Sequence, residues 1–330
     1  MRVTHPRLLP LAVLAATAVA CSGAPEPVPG AADGRATRAA DGRATSVAVT
    51  FREADWTPLR EADIPNDSIG ASIKRGLYLL RFTPESLPAY ATSSLRCTSC
   101  HQDDGIRPSS GPLTGSHARF PKYMPRSGTV IALADRINYC FTRSLAGNAI
   151  PVESREMVDI LAYLAFISKD IPVGTKIAGA DGLISMPDAL DGDVARGEAL
   201  FTAKTCAVCH GVTGEGNGPI PALWGPKSYS IGASMARIER AASFISHNMP
   251  QIAPGSLTAQ EAFDLSAYIN SRPRPDSPGK ENDWPIGGAP ADVPYDTKGH
   301  KAFRPPPVIP RANPKGALVP NPPVISHSKR

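Results

Sequence analysis

Apolar residues recur with a helical period in two separate parts of the chain, with irregular, glycine- and proline-rich stretches between. Ile73, Leu77, Leu79 and Leu80 predict a helix over Ile69–Phe82. Met157, Ile160, Leu161, Leu164 and Ile167 form one apolar stripe and predict an amphipathic helix over Ser154–Ser168. Between them, Val130–Leu145 is expected to be helical and Pro108–Gly128 to be loop. The pattern then restarts, with a short helix over Asp193–Phe201, a glycine-rich loop over Gly211–Gly218 and a helix over Met235–Ser246. A closing helix is predicted over Thr258–Ser271, with Thr258 and Glu261 spaced as a capping box.

The two ends lack this periodicity. Met1–Ala20 has Arg2 and Arg7 ahead of a short apolar core ending in small residues, the pattern of an export signal. Ala18-Val-Ala-Cys21 resembles a lipobox, so Cys21 is expected to carry a lipid anchor and the chain to work in the periplasm. Residues 21–46 repeat an Ala-Ala-Asp-Gly-Arg-Ala-Thr unit, at 31–37 and 39–45, and read as a flexible linker. The rest divides into a first domain at 47–173, a connector at 174–192, a second domain at 193–285 and a proline-rich tail at 286–330.

A length of 330 residues suits two such domains. The formal charge of +5 includes Arg2 and Arg7 of the signal. No Lys/Arg run or base-stacking motif is present, so no nucleic-acid partner is expected. Six cysteines occur, and four form two CxxCH motifs, Cys97-Thr-Ser-Cys100-His101 and Cys206-Ala-Val-Cys209-His210. That spacing lets two thiols reach the two vinyl groups of one haem while the next residue, histidine, becomes the proximal iron ligand. Two covalently attached c-type haems are therefore expected. The fold expected around them is all-α: two tandem class I cytochrome c domains with long irregular loops.

The second iron ligands follow from position. Cys140 lies 39 residues after His101, and Met249 lies 39 residues after His210. Met249 suits a higher-potential electron-transfer haem, and a Cys140 thiolate a lower-potential one. Met124 and His117 rival Cys140, and His247 rivals Met249; Asn248 stands beside the ligand position. Arg136 and Ser144 are each four residues from Cys140, hence on its helical face, and Arg126 and Arg143 are near in sequence. A thiolate, arginines and a hydroxyl together could hold a small dianion.

Several stretches resemble the dihaem c-type cytochrome thiosulfate dehydrogenases. These are Lys122-Tyr-Met-Pro-Arg126-Ser-Gly128, Arg136-Ile-Asn-Tyr-Cys140-Phe-Thr-Arg143-Ser144, Leu223-Trp-Gly-Pro226, Asn248-Met249-Pro250, Arg272-Pro-Arg-Pro275 and Asp283-Trp-Pro285. The resemblance runs from about Trp56 to Tyr295. It implies oxidation of two thiosulfates to tetrathionate. Cys140 would be axial ligand and sulfur acceptor, Arg126, Arg136 and Ser144 would orient the anion, and Met249 would ligate the second haem. A small cytochrome c is the expected electron acceptor. The same atoms run in reverse would make a tetrathionate reductase, and a non-catalytic electron carrier is the remaining alternative. Two departures are visible: Ala146 stands where asparagine is common, and Asp103-Asp104 adds negative charge near the first haem.

Overall fold

The computed structural model describes residues 56–174, 182–186 and 188–302, with the backbone of 311–312 and 318–319. The expected signal peptide, the linker with Cys21, parts of the connector and most of the tail beyond Ala302 lie outside the described residues. Six helices form the frame: α1 (Ser68–Arg81), α2 (Leu133–Tyr139), α3 (Arg155–Phe166), α4 (Val194–Ala203), α5 (Ile238–Asn248) and α6 (Ala259–Asn270). Each CxxCH lies on a short helical turn, Cys97–Cys100 and Cys206–His210. The chain is thus mostly helical, as expected of tandem cytochrome c domains.

Helix starts follow capping chemistry. Asp67, Ser154 and Asp193 accept backbone N–H groups at the starts of α1, α3 and α4. At α6 the capping box forms: Glu261 N–H donates to Thr258 Oγ1 at 3.2 Å, and Thr258 N–H to Glu261 Oε2 at 2.9 Å.

The same helix crossing is built twice. In the first half α1 packs on α3, and in the second α4 packs on α6. At the crossings stand Gly76 and Gly197, where an added Cβ would come 2.0 Å from the carbonyl oxygen of Asp159 or of Asp264, respectively. Only hydrogen fits there, so the helices approach to backbone contact. Arg75 then pairs with the buried carboxylate of Asp159 at 2.7 Å, and Arg196 with that of Asp264 at 2.8 Å. Tyr163 and Tyr268 sit one turn past the two aspartates, both buried.

Two expectations change. Val130 and Ile131 are not helical: Thr129–Ile131 (β2) pairs antiparallel with Lys122–Met124 (β1), Tyr123 opposite Val130. Consecutive β-branched residues favour the extended ribbon over a helix turn. Within the stretch read as tail, residues 286–302 are folded: Val293 and Tyr295 are buried with Trp284 in a small cluster of their own. Their packing is irregular and carries no period.

The halves share a core. Tyr229, Ala233 and Ala236 of the second half belong to the cluster built on Leu77, Leu80, Phe141, Met157 and Leu164 of the first.

Replacing Gly197 by Ala forces the crossing apart and should cost about 1–3 kcal/mol, read as a lower thermal midpoint; Gly76→Ala should behave alike. Asp159 and Asp264 are desolvated, yet their arginines hold both below the usual carboxylate range. A depressed carboxylate stabilises the fold above its unfolded pKa and loses that contribution as pH falls through its folded one. The midpoint should therefore stay level from neutral pH to about 5 and fall below about 4.

Candidate active site

The sulfur of Cys140 is placed by a change of helix type. α2 ends at Tyr139, and Cys140–Ser144 continues as one π turn, with Leu145 N–H donating to Cys140 O at 2.8 Å. Such wide turns disturb the regular ladder and recur at functional sites. Arg136, one turn earlier, donates from Nη1 to Cys140 Sγ at 3.1 Å. The charge of the His101 ring acts on the thiol as well. Burial opposes its ionisation, but Arg136 and His101 outweigh burial and bring Cys140 down to about 6. Burial instead pushes Cys97 up to about 11 and Cys100 to about 12, with the Cys140 charge adding to both. Of these three mutually interacting thiols, only Cys140 favours the thiolate.

Both histidines are oriented in the same way. His101 Nδ1 donates to Gly111 O at 2.5 Å, and His210 Nδ1 to Pro221 O at 3.1 Å. A tied Nδ1–H leaves Nε2 as the free base, the arrangement a metal-ligating histidine needs. In the second half Cys206 and Met249 both pack against the apolar cluster of Phe201, Ile245 and Phe263. A histidine with its outer nitrogen fixed, two thiols with two residues between them and a soft sulfur donor fit c-type haem in each half.

Of the rivals, His117 is exposed on the Ser116–Arg119 turn, and Met124 lies in β1. His247 Nδ1 donates to Ser243 O on its own helix, which leaves its Nε2 free as in the two CxxCH histidines. Arg136 stands on the Cys140 sulfur, and Ser144 closes the π turn. Arg126 is fixed by the second half and the segment beyond it: Nε donates to Asp283 at 2.9 Å, and Nη2 to Gly232 O and Tyr295 OH. Of the two departures, Asp103 and Asp104 are neutralised by Arg60 and Arg81 at 2.8 and 2.6 Å. Ala146 takes φ 52°, a left-handed backbone that suits asparagine better than alanine.

One link between the two sites was only partly visible beforehand. Asn248, fully buried beside Met249, accepts from Ser109 Oγ and donates to Ser109 O, both at 2.9 Å. Ser109 stands two residues before Gly111, whose carbonyl fixes His101.

This fold and these donor sets define a c-type cytochrome with two haem-type sites, the first bearing a polarised cysteine. The family comparison agrees: residues 89–173 match the SoxA/TsdA cytochrome c domain and residues 194–273 the cytochrome c domain. The chain is 40% identical to the thiosulfate dehydrogenase of Psychrobacter arcticus over 71% of its length and 72% of the relative's. It is 38% identical to that of Allochromatium vinosum, over 64% and 82%. A solved structure of the thiosulfate dehydrogenase TsdBA from Marichromatium purpuratum superposes with a TM-score of 0.63 at 31% identity, over 68% of this chain. The chain spans 50% of that longer chain. The protein belongs to the thiosulfate dehydrogenase family of cytochromes c.

Asn248→Ala removes the partner of both polar groups of the half-buried Ser109. It should cost about 1–3 kcal/mol, measured as a shift in the chemical unfolding midpoint, whereas Ser109→Ala, which leaves the Ser109 carbonyl bond possible, should cost less.

Proposed function

We propose that the protein joins two thiosulfates into tetrathionate at Cys140, with one haem held covalently by Cys97 and Cys100 and another by Cys206 and Cys209. The observation that carries this reading is the Cys140 sulfur, set on the π turn, held by the Arg136 guanidinium and polarised toward the thiolate. His101 and Cys140 would ligate the first iron, and His210 and Met249 the second. When bound, the haems supply two one-electron acceptors, the methionine-ligated one at the higher potential.

The chain's own groups account for the sulfur chemistry. Arg136 and Ser144 orient the thiosulfate dianion with its terminal sulfur toward Cys140 Sγ, and Arg126 serves as a fixed cation behind them. An S–S bond forms between Cys140 and that sulfur as two electrons leave the pair. A second thiosulfate attacks the bound terminal sulfur, tetrathionate departs, and Cys140 returns as thiolate. Two S2O3 dianions enter, and one S4O6 dianion and two electrons leave. We place the enzyme in the periplasm, lipid-anchored through Cys21, and passing electrons to a small cytochrome c.

Cys140→Gly should abolish thiosulfate-dependent reduction of an artificial acceptor, while the intact mass still includes both haems. Full activity in that variant would remove Cys140 from the mechanism. A wild-type protein that reduces no acceptor with thiosulfate would be an electron carrier only. Initial rates with thiosulfate and with tetrathionate decide the preferred direction.

A further inference from the structure

The motif Asp283-Trp284-Pro285 has no part in the chemistry described above, yet its carboxylate is among the most buried groups in the structure, 2% exposed. It is shared by two arginines from separate elements. Arg126, from the turn between β1 and β2, donates from Nε to Oδ2 at 2.9 Å; Arg143, three residues past Cys140 on the π turn, donates from Nη2 to Oδ1 at 2.5 Å. Tyr295 OH donates to Oδ2 at 2.8 Å and accepts from Arg126 Nη2. Burial raises the Tyr295 phenol, which therefore remains a donor at neutral pH.

Among the described residues, the partners that fix these guanidiniums come from the second half or the segment beyond it, apart from the Tyr139 ring. Arg126 stacks on Trp284 at 4.9 Å and donates to Gly232 O, and Arg126 O accepts from Trp284 N–H. Arg143 lies over the ring of Tyr139, the residue before Cys140, at 4.2 Å, and its carbonyl accepts from Ser230 Oγ. One carboxylate offsets one of two formal charges, so the trio keeps a net positive unit beside the cysteine-bearing turn. A brace alone would need one ion pair. Two arginines sharing both oxygens of one carboxylate are set in direction as well as in place.

We propose that Asp283 is a positioning residue for thiosulfate oxidation: it aims Arg126 and Arg143 at the dianion, so that the second half of the chain completes the substrate site of the first. This rests on the reading of Cys140 as the site of thiosulfate oxidation. Two other roles predict different outcomes. A carboxylate that only tempers the arginines' charge would, on removal, let the anion bind more tightly. A carboxylate that only braces the fold would, on removal, lower the thermal midpoint and leave kinetics alone.

The test uses the full haem-loaded protein, with thiosulfate as substrate and ferricyanide as acceptor. Asp283→Asn should raise KM for thiosulfate about tenfold with kcat within about twofold, the pattern of lost anion binding without lost chemistry. The visible spectrum, which reports ligation at both irons, should not change. Tyr295→Phe removes one hydrogen bond to the same carboxylate and one from Arg126 and should move KM two- to threefold in the same direction; it decides the matter alone if Asp283→Asn does not fold. A KM that stays within error of wild type or falls, in whichever of these variants folds, overturns the role of Asp283 while the parent reading stands. A wild-type protein inert toward thiosulfate overturns both.

Discussion

The site depends on holding one sulfur, half-buried and polarised, against a guanidinium. Burial alone would keep that thiol protonated, as it does Cys97 and Cys100. Arg136 reverses the balance from one helical turn away, and the π turn at Cys140 sets where the sulfur points. A regular α-helix would continue the i→i+4 ladder through this point. The wider turn breaks it and hands the Cys140 carbonyl to Leu145 instead.

Around that sulfur the protein uses one frame twice. Each half crosses its first and last helices at a glycine, locks the crossing with an Arg–Asp pair and fixes its histidine through a backbone carbonyl. On the proposed ligation the halves diverge in the remaining donor, Cys140 in one and Met249 in the other. Such a shared scaffold with different soft sulfur donors would give two centres of different potential, the requirement for moving electrons in one direction. The frames are also joined: Asn248 bonds the loop behind His101, and Asp283 and Tyr295 grip the arginines near Cys140.

Much of this was legible in the chain. The CxxCH motifs, the equal spacing to Cys140 and Met249, and the 3.6-residue stripes give the helical order, because each reflects a local rule. The duplicated crossing, Arg75-Gly76 and Arg196-Gly197 with Asp159-x-x-x-Tyr163 and Asp264-x-x-x-Tyr268, was not legible in the chain, because its meaning depends on which helices pack together. The β1–β2 ribbon lay inside a stretch assigned partly to loop and partly to helix, since three-residue strands have too few positions to show alternation. The packing of Val293 and Tyr295 left no periodic trace, being irregular chain anchored by single side chains. Arg126 could be placed near the site by sequence, but its ties to Asp283 and Tyr295 span more than 150 residues and depend on tertiary structure.

The account rests on a sulfur from position 140 serving the iron held by His101. Low-temperature electron paramagnetic resonance of the oxidised protein tests it most directly, since a thiolate ligand gives a low-spin signal distinct from that of methionine or histidine. Wild type should show one thiolate-type and one methionine-type centre, and Cys140→Met should convert the first while leaving the second unchanged. A first-haem signal identical in wild type and in Cys140→Met would contradict the account.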